Sequence, residues 1–162
     1  MIGLVQRVSN AQVEVAGESI AKIGAGLLAF VAIEKHDSER EADKLLNRML
    51  GYRILTDKAG KMNLGLKETG DELLLVPQFT LAAMRAQKKG LRPSFDEAAL
   101  PEKGLQLFNY LYQQALNLHG QVQKGSFGAD MQVMLTNDGP ATFVLEAVAE
   151  GDSELSAKAV RR

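Results

Sequence analysis

The sequence predicts an α/β fold, a single strand-rich domain carrying two main helices. Three observations predict it. Short apolar runs, some alternating with polar residues and some continuous, open the chain, interrupt its middle and close it. Two longer segments, residues 38–50 and 101–119, repeat apolar residues at helical spacing. The length of 162 residues suits one domain, which can bury a core without disulfide or metal staples.

Residues 2–8 and 12–15 alternate like half-buried strands, and Gly17-Glu18 interrupts them before a further strand over 19–23. Residues 27–33 form a continuous apolar run, expected of a strand buried on both faces. The preceding Gly24-Ala25-Gly26 fits a loose dinucleotide fingerprint, but that fingerprint must open a helix. A glycine-rich hairpin turn suits it better. Ser38-Glu39-Arg40-Glu41 is a capping box, after which Ala42, Leu45, Leu46, Met49 and Leu50 share one face. Asp57-Lys58-Ala59-Gly60 is turn material. Residues 73–76 read as a strand that Pro77 ends, and residues 82–93 as a loop. Pro101 suits a first helical turn, and Leu105, Phe108, Tyr112, Ala115 and Leu116 give the predicted buried stripe. Residues 131–135 and 142–147 read as two strands joined by an Asn137-Asp138-Gly139-Pro140 hairpin turn.

Composition narrows the chemistry. Cys is absent, which excludes a disulfide framework, a thiolate metal site and a thiol nucleophile. There are two His, His36 and His119, too few and too far from any supporting motif for a metal centre or a His-based triad. No apolar stretch is long enough to span a membrane, and residues 1–7 read as a strand rather than a signal peptide. Net charge is -1, which argues against blanket binding to nucleic acid. Residues 73–95, however, contain no Asp or Glu, while carrying Arg85, Lys88, Lys89 and Arg92. That run is either a solvated loop or a phosphate-contacting patch.

Two polar segments carry the functional signal. Gln78-Phe79-Thr80 follows an apolar strand, at a place where backbone N–H groups become available. It is either a plain strand terminus or a site for stabilising an oxyanion, with the Thr80 hydroxyl as a positioner or a nucleophile. No base stands beside it in the sequence to activate a nucleophile. Asn137-Asp138-Gly139-Pro140 is either a tight turn or a rigid loop that presents carbonyls.

These segments resemble the D-aminoacyl-tRNA deacylase family over residues 1–146. The resemblance extends to Met1-Ile2-Gly3-Leu4-Val5-Gln6-Arg7-Val8, Gly51-Tyr52-Arg53-Ile54, Gly60-Lys61-Met62-Asn63, Leu91-Arg92-Pro93-Ser94-Phe95 and Gly128-Ala129-Asp130-Met131-Gln132-Val133. It implies a barrel-like α/β homodimer without metal or cofactor, working in the cytoplasm on aminoacyl-tRNA. By the same resemblance Gln78, Phe79 and Thr80 are the catalytic residues. Gly139 and Pro140 form a Gly-cisPro loop that enters the partner's active site and excludes L-aminoacyl groups. Lys88, Lys89 and Arg92 are expected to contact tRNA, and residues 147–162 to form a poorly ordered extension. Pro77 stands where the family commonly has Ser, while Phe79 fits the D-specific class rather than a related class with Pro-Gln-Ala-Thr. Two alternatives are a deacylase of mischarged L-alanyl-tRNA and a non-catalytic RNA-binding barrel.

Overall fold

A computed structural model describes residues 1–85 and 91–149, without the side chains of residues 84 and 85. Its spine is one long strand, β1 (Ile2–Val15), which is paired along both edges. On one edge lie β2 (Glu18–Ile23) and β3 (Gly26–Ala32), end to end. β2 pairs with residues 11–15 of β1, and β3 with residues 2–8, both antiparallel. Gly24-Ala25 therefore joins two strands that share a neighbour. It is not the turn of a hairpin, as the glycine pattern alone had suggested.

Beyond β3 the sheet turns parallel. β6 (Glu72–Pro77) runs alongside β3, and β7 (Val122–Lys124) alongside β6. The Gln123 side chain then accepts from the Lys22 N–H at 2.8 Å and donates to the Lys22 carbonyl at 2.6 Å. These bonds bring β7 against β2 and nearly close the sheet into a barrel. Alternation along the strands divides the core. Leu28, Leu74 and Val76 point inward to Val8, Val13 and Ile23, while Leu27, Leu73 and Leu75 face the helices. Burial on both faces explains why β3 and β6 read as continuous apolar runs.

α1 (Glu39–Gly51) starts where the sequence predicts. The Glu41 carboxylate accepts from the Ser38 N–H at 3.0 Å and from its hydroxyl at 2.6 Å. The predicted stripe of α1 is buried. α3 (Pro101–Leu118) has Pro101 at its start, but its stripe is rotated from the expected one. Leu107, Phe108, Leu111 and Ala115 face the core, with Gly104, whereas Leu105 is exposed. A four-residue helix, α2 (Leu66–Thr69), follows the small hairpin of β4 (Leu55–Thr56) and β5 (Met62–Leu64). Residues 79–85, expected as strand end and loop, form a 3-10 helix.

β8 (Met131–Glu146) overturns the expected hairpin. Its two halves both pair antiparallel with β1, from Val15↔Met131 to Val8↔Asn137 and from Gln6↔Thr142 to Ile2↔Glu146. Between Asn137 and Thr142, residues 138–141 have no register partner and stand opposite Arg7. The Asn-Asp-Gly-Pro segment is thus an insertion within one strand. The Met1 amine sits in the buried seam, held by Glu34 at 2.8 Å, Asp37 at 2.7 Å and the Ala147 carbonyl at 2.8 Å.

The entry to the parallel ladder depends on Gly26. A Cβ there, at φ +156°, would lie 1.9 Å from the Glu72 carbonyl oxygen. Gly26→Ala must force β3 and β6 apart, and should cost about 3 kcal/mol. Gly51→Ala, where a Cβ meets nothing within 4 Å, should shift stability by less than about 0.5 kcal/mol. Urea denaturation of both variants measures this, and equal midpoints would refute the close approach.

Candidate active site

Gln78, Phe79 and Thr80 lie at the carboxyl end of β6, where the parallel strands β3, β6 and β7 all terminate. That end of a parallel sheet is where ligands gather, because the ladder stops and backbone groups become available. The Gln78 N–H donates to the Val31 carbonyl at 2.8 Å, extending the β3–β6 ladder by one bond. The chain then turns into the 3-10 helix, with the Leu81 N–H donating to the Gln78 carbonyl at 3.3 Å. The N–H groups of Phe79 and Thr80 open that helix and donate to no acceptor among the described residues. Such leading donors are the ones a helical turn cannot satisfy internally.

The Phe79 side chain does not enter the core. It is 56% exposed and packs edge-on against Phe95, with ring centroids 5.1 Å apart. The Gln78 side-chain amide donates to the Thr80 hydroxyl in a short contact. An amide is no base, so this partner orients the hydroxyl without activating it. His119 is not at this end: its Nε2 lies 2.6 Å from the Asp71 carbonyl, at the start of β6. Beside the strand end, β7 runs into Gly125, where a Cβ would approach Pro77 Cδ to 3.4 Å.

Asp138, Gly139 and Pro140 form an exposed protrusion, with the Gly139–Pro140 peptide bond cis. Two side chains brace it. The Asn137 Oδ1 accepts from the Ala141 N–H at 2.7 Å, and its Nδ2 donates to the Thr142 hydroxyl at 2.8 Å. Arg7 grips from the other side: its Nε donates to the Asp138 carbonyl at 2.9 Å, and its Nη1 to the Ile54 carbonyl at 2.9 Å. The Asp138 carboxylate adds an ion pair at 3.2 Å. Gly139 has φ +141°, and a Cβ there would sit 2.9 Å from Arg7 Nη2. The β4–β5 hairpin that supplies Ile54 is itself held by Asp57, which accepts from the Lys61 and Ala59 N–H groups at 2.9 and 2.8 Å. These donors, Lys61 first, hold the Asp57 carboxyl below its usual range.

The two motifs do not meet within one chain. Arg7 is level with Leu27 and Leu73, at the start of β6, whereas Gln78 follows its end. Three strand spacings and five residues separate them, about 20 Å. Of the expected tRNA contacts, Arg92 is exposed beyond the 3-10 helix, and Lys88 and Lys89 lie outside the described residues. Sequence reading gave Arg7 no role of its own, because its partners come from residues 54 and 138, far from it in the chain.

Arg7→Ala should therefore destabilise the fold by about 1–2 kcal/mol, since it strands the part-buried Ile54 carbonyl and frees the protrusion at Asp138. It should also speed hydrogen exchange at the Ala141 amide. Arg7→Lys should recover little, because an ammonium cannot span the Ile54 and Asp138 carbonyls as a planar fork does. Urea denaturation and amide exchange read both effects, and unchanged exchange in Arg7→Ala would remove the clamp.

Comparison with known proteins adds the family. The profile of the family described as D-Tyr-tRNA(Tyr) deacylase matches residues 4–146. A D-aminoacyl-tRNA deacylase of Pseudomonas putida is 57% identical over 146 residues, covering 90% of this chain and 99% of the relative. One from Pseudomonas fluorescens is 56% identical with the same coverage. Among solved structures, one described as c-Myc DNA Unwinding Element Binding Protein is 34% identical, with TM-score 0.86, covering 92% of this chain and all of the other. A probable eukaryotic D-amino acid tRNA deacylase, 15% identical with TM-score 0.80 over 90% of this chain and 98% of the other, shares the fold. With its barrel-like sheet, its strand-end motif and its inserted loop all falling inside the matched span, the chain belongs to the D-Tyr-tRNA(Tyr) deacylase family.

Proposed function

We propose that the protein hydrolyses the ester bond of D-aminoacyl-tRNA, releasing the amino acid and tRNA, and that glycyl-tRNA is a second substrate. The observation that carries this reading is the pair of N–H groups at Phe79 and Thr80 that have no acceptor among the described residues, at an exposed strand end. Aimed at one spot, such donors stabilise the oxyanion that forms when water attacks the ester. Gln78 and Thr80 position the substrate. The terminal ribose 2′-hydroxyl of the tRNA assists the attack, so the protein supplies neither nucleophile nor metal. A ligand set with two His and no Cys agrees with metal-independent hydrolysis.

Selection by chirality is assigned to Gly139 and Pro140. In this reading their carbonyls hold the substrate's amino group in one orientation. A side chain of L configuration then points into the loop and clashes, one of D configuration points away, and glycine has none. Because the loop lies about 20 Å from Gln78 in the same chain, a second copy must bring it to the strand end. That distance supports a homodimer with each site shared. Residues 1–146 form the working domain, and Lys88, Lys89 and Arg92 contact the tRNA backbone.

Purified protein given D-tyrosyl-, L-tyrosyl- and glycyl-tRNA should cleave the first and third and spare the second. Cleavage should survive EDTA. Pro140→Ala should lower cleavage of the D-substrate more than Asp138→Asn does, since the Arg7 bond to the Asp138 carbonyl remains in the latter. Rapid hydrolysis of L-tyrosyl-tRNA by the unaltered protein would refute the filter, and activity restored only by zinc or magnesium would refute metal independence.

A further inference from the structure

An open cleft of about 640 Å³ lies between α3 and the end of β7, lined in part by Phe108, Asn109, Tyr112, Lys124 and Phe127. Lys124 is the sole charged residue of its lining. The residue is half-buried, its Nζ donating to Asn109 Oδ1 at 2.8 Å and lying 4.6 Å from the centre of the Tyr112 ring. No carboxylate pairs with it among the described residues. A neutral amide and a π face orient the ammonium but do not neutralise it. One of its three protons goes to Asn109, and two donors are left for a ligand. An ammonium held this way, part-desolvated and without a counter-ion, attracts an anion into the cleft.

Its position says which anion. Lys124 pairs with Leu75, two residues before Pro77, on the neighbouring strand. Its Cα is therefore about 8 Å from that of Pro77, where the Gln78-Phe79-Thr80 segment begins. Gly125, the next residue, lies close enough to Pro77 that a Cβ on it would come 3.4 Å from Pro77 Cδ. An ester held at Phe79 and Thr80 would bring the phosphodiester of the same terminal nucleotide to this distance. We infer that Lys124 is a substrate-binding residue that contacts the phosphodiester next to the esterified terminal nucleoside, anchoring the tRNA end in the α3–β7 cleft. This rests on the deacylase reading above.

The test compares two substrates that differ in that phosphate, D-tyrosyl-tRNA and D-tyrosyl-adenosine. Lys124→Gln, which keeps the side chain's length and polarity, should raise KM for D-tyrosyl-tRNA about 5–10-fold, the loss of one charge-assisted contact, with kcat within about twofold. The slope of log(kcat/KM) against log salt should become shallower by about 0.7, the share of one single-strand phosphate. Hydrolysis of D-tyrosyl-adenosine, which lacks the phosphate, should be the same in both proteins. Lys124→Arg should restore much of the KM. Equal losses on both substrates, or no loss on the tRNA, would overturn the phosphate contact while the deacylase reading stands. A wild-type protein that cleaves neither substrate would refute the deacylase reading and this contact with it.

Discussion

The backbone ladder of β1 is the constraint on which the remaining architecture depends. Both edges of the strand are hydrogen-bonded, with β2 and β3 on one side and β8 along nearly its full length on the other. Such a lattice fixes distances to within a strand spacing, because each shift of register would flip side chains between core and solvent. The four unpaired residues of β8 are therefore expelled as a protrusion rather than absorbed, and Arg7 beneath them ties the protrusion to the β4–β5 hairpin. The same lattice keeps the protrusion level with the start of β6 and the Gln78-Phe79-Thr80 turn beyond that strand's end.

In the proposed function, backbone groups carry more of the work than reactive side chains. At the strand end, the ladder stops after the Gln78 N–H and leaves the next two N–H groups available. At the protrusion, side chains of Arg7 and Asn137 are spent on holding the chain in place. Backbone donors and carbonyls are rigid once their ladders and braces are formed, which suits discrimination by shape and stabilisation of charge without reorganisation. It also accounts for a chain without Cys, with His119 bonded to the far end of β6.

Much of this was legible in the sequence because local chemistry determined it. The Ser38–Glu41 capping box, the apolar face of α1, the buried run of β6 and Pro101 at the start of α3 each follow from residues within a turn or two of one another. The failures were non-local. Asn-Asp-Gly-Pro carries hairpin chemistry, and only the partner strand reveals that both flanks pair with β1. In α3, leucines at 105, 107, 111, 116 and 118 allow several stripes, and packing against α1 and the sheet selects the one through Leu107 and Leu111. The contacts of Arg7 likewise come from elements far away in the chain. Gln78-Phe79-Thr80 does follow a strand as expected, but the exposed Phe79 and the 3-10 turn were not foreseen.

The central claim is that one chain holds two halves of different sites, and that pairing of copies completes them. Co-expression of two inactive variants tests it most directly, one altered at the strand end (Gln78→Ala with Thr80→Ala) and one at the protrusion (Pro140→Ala with Gly139→Ala). In mixed dimers one of the two shared sites is intact, so random pairing should restore about a quarter of wild-type D-tyrosyl-tRNA cleavage. Activity no higher than the two variants give separately, in preparations shown to contain the mixed dimer, would contradict a site built from two copies.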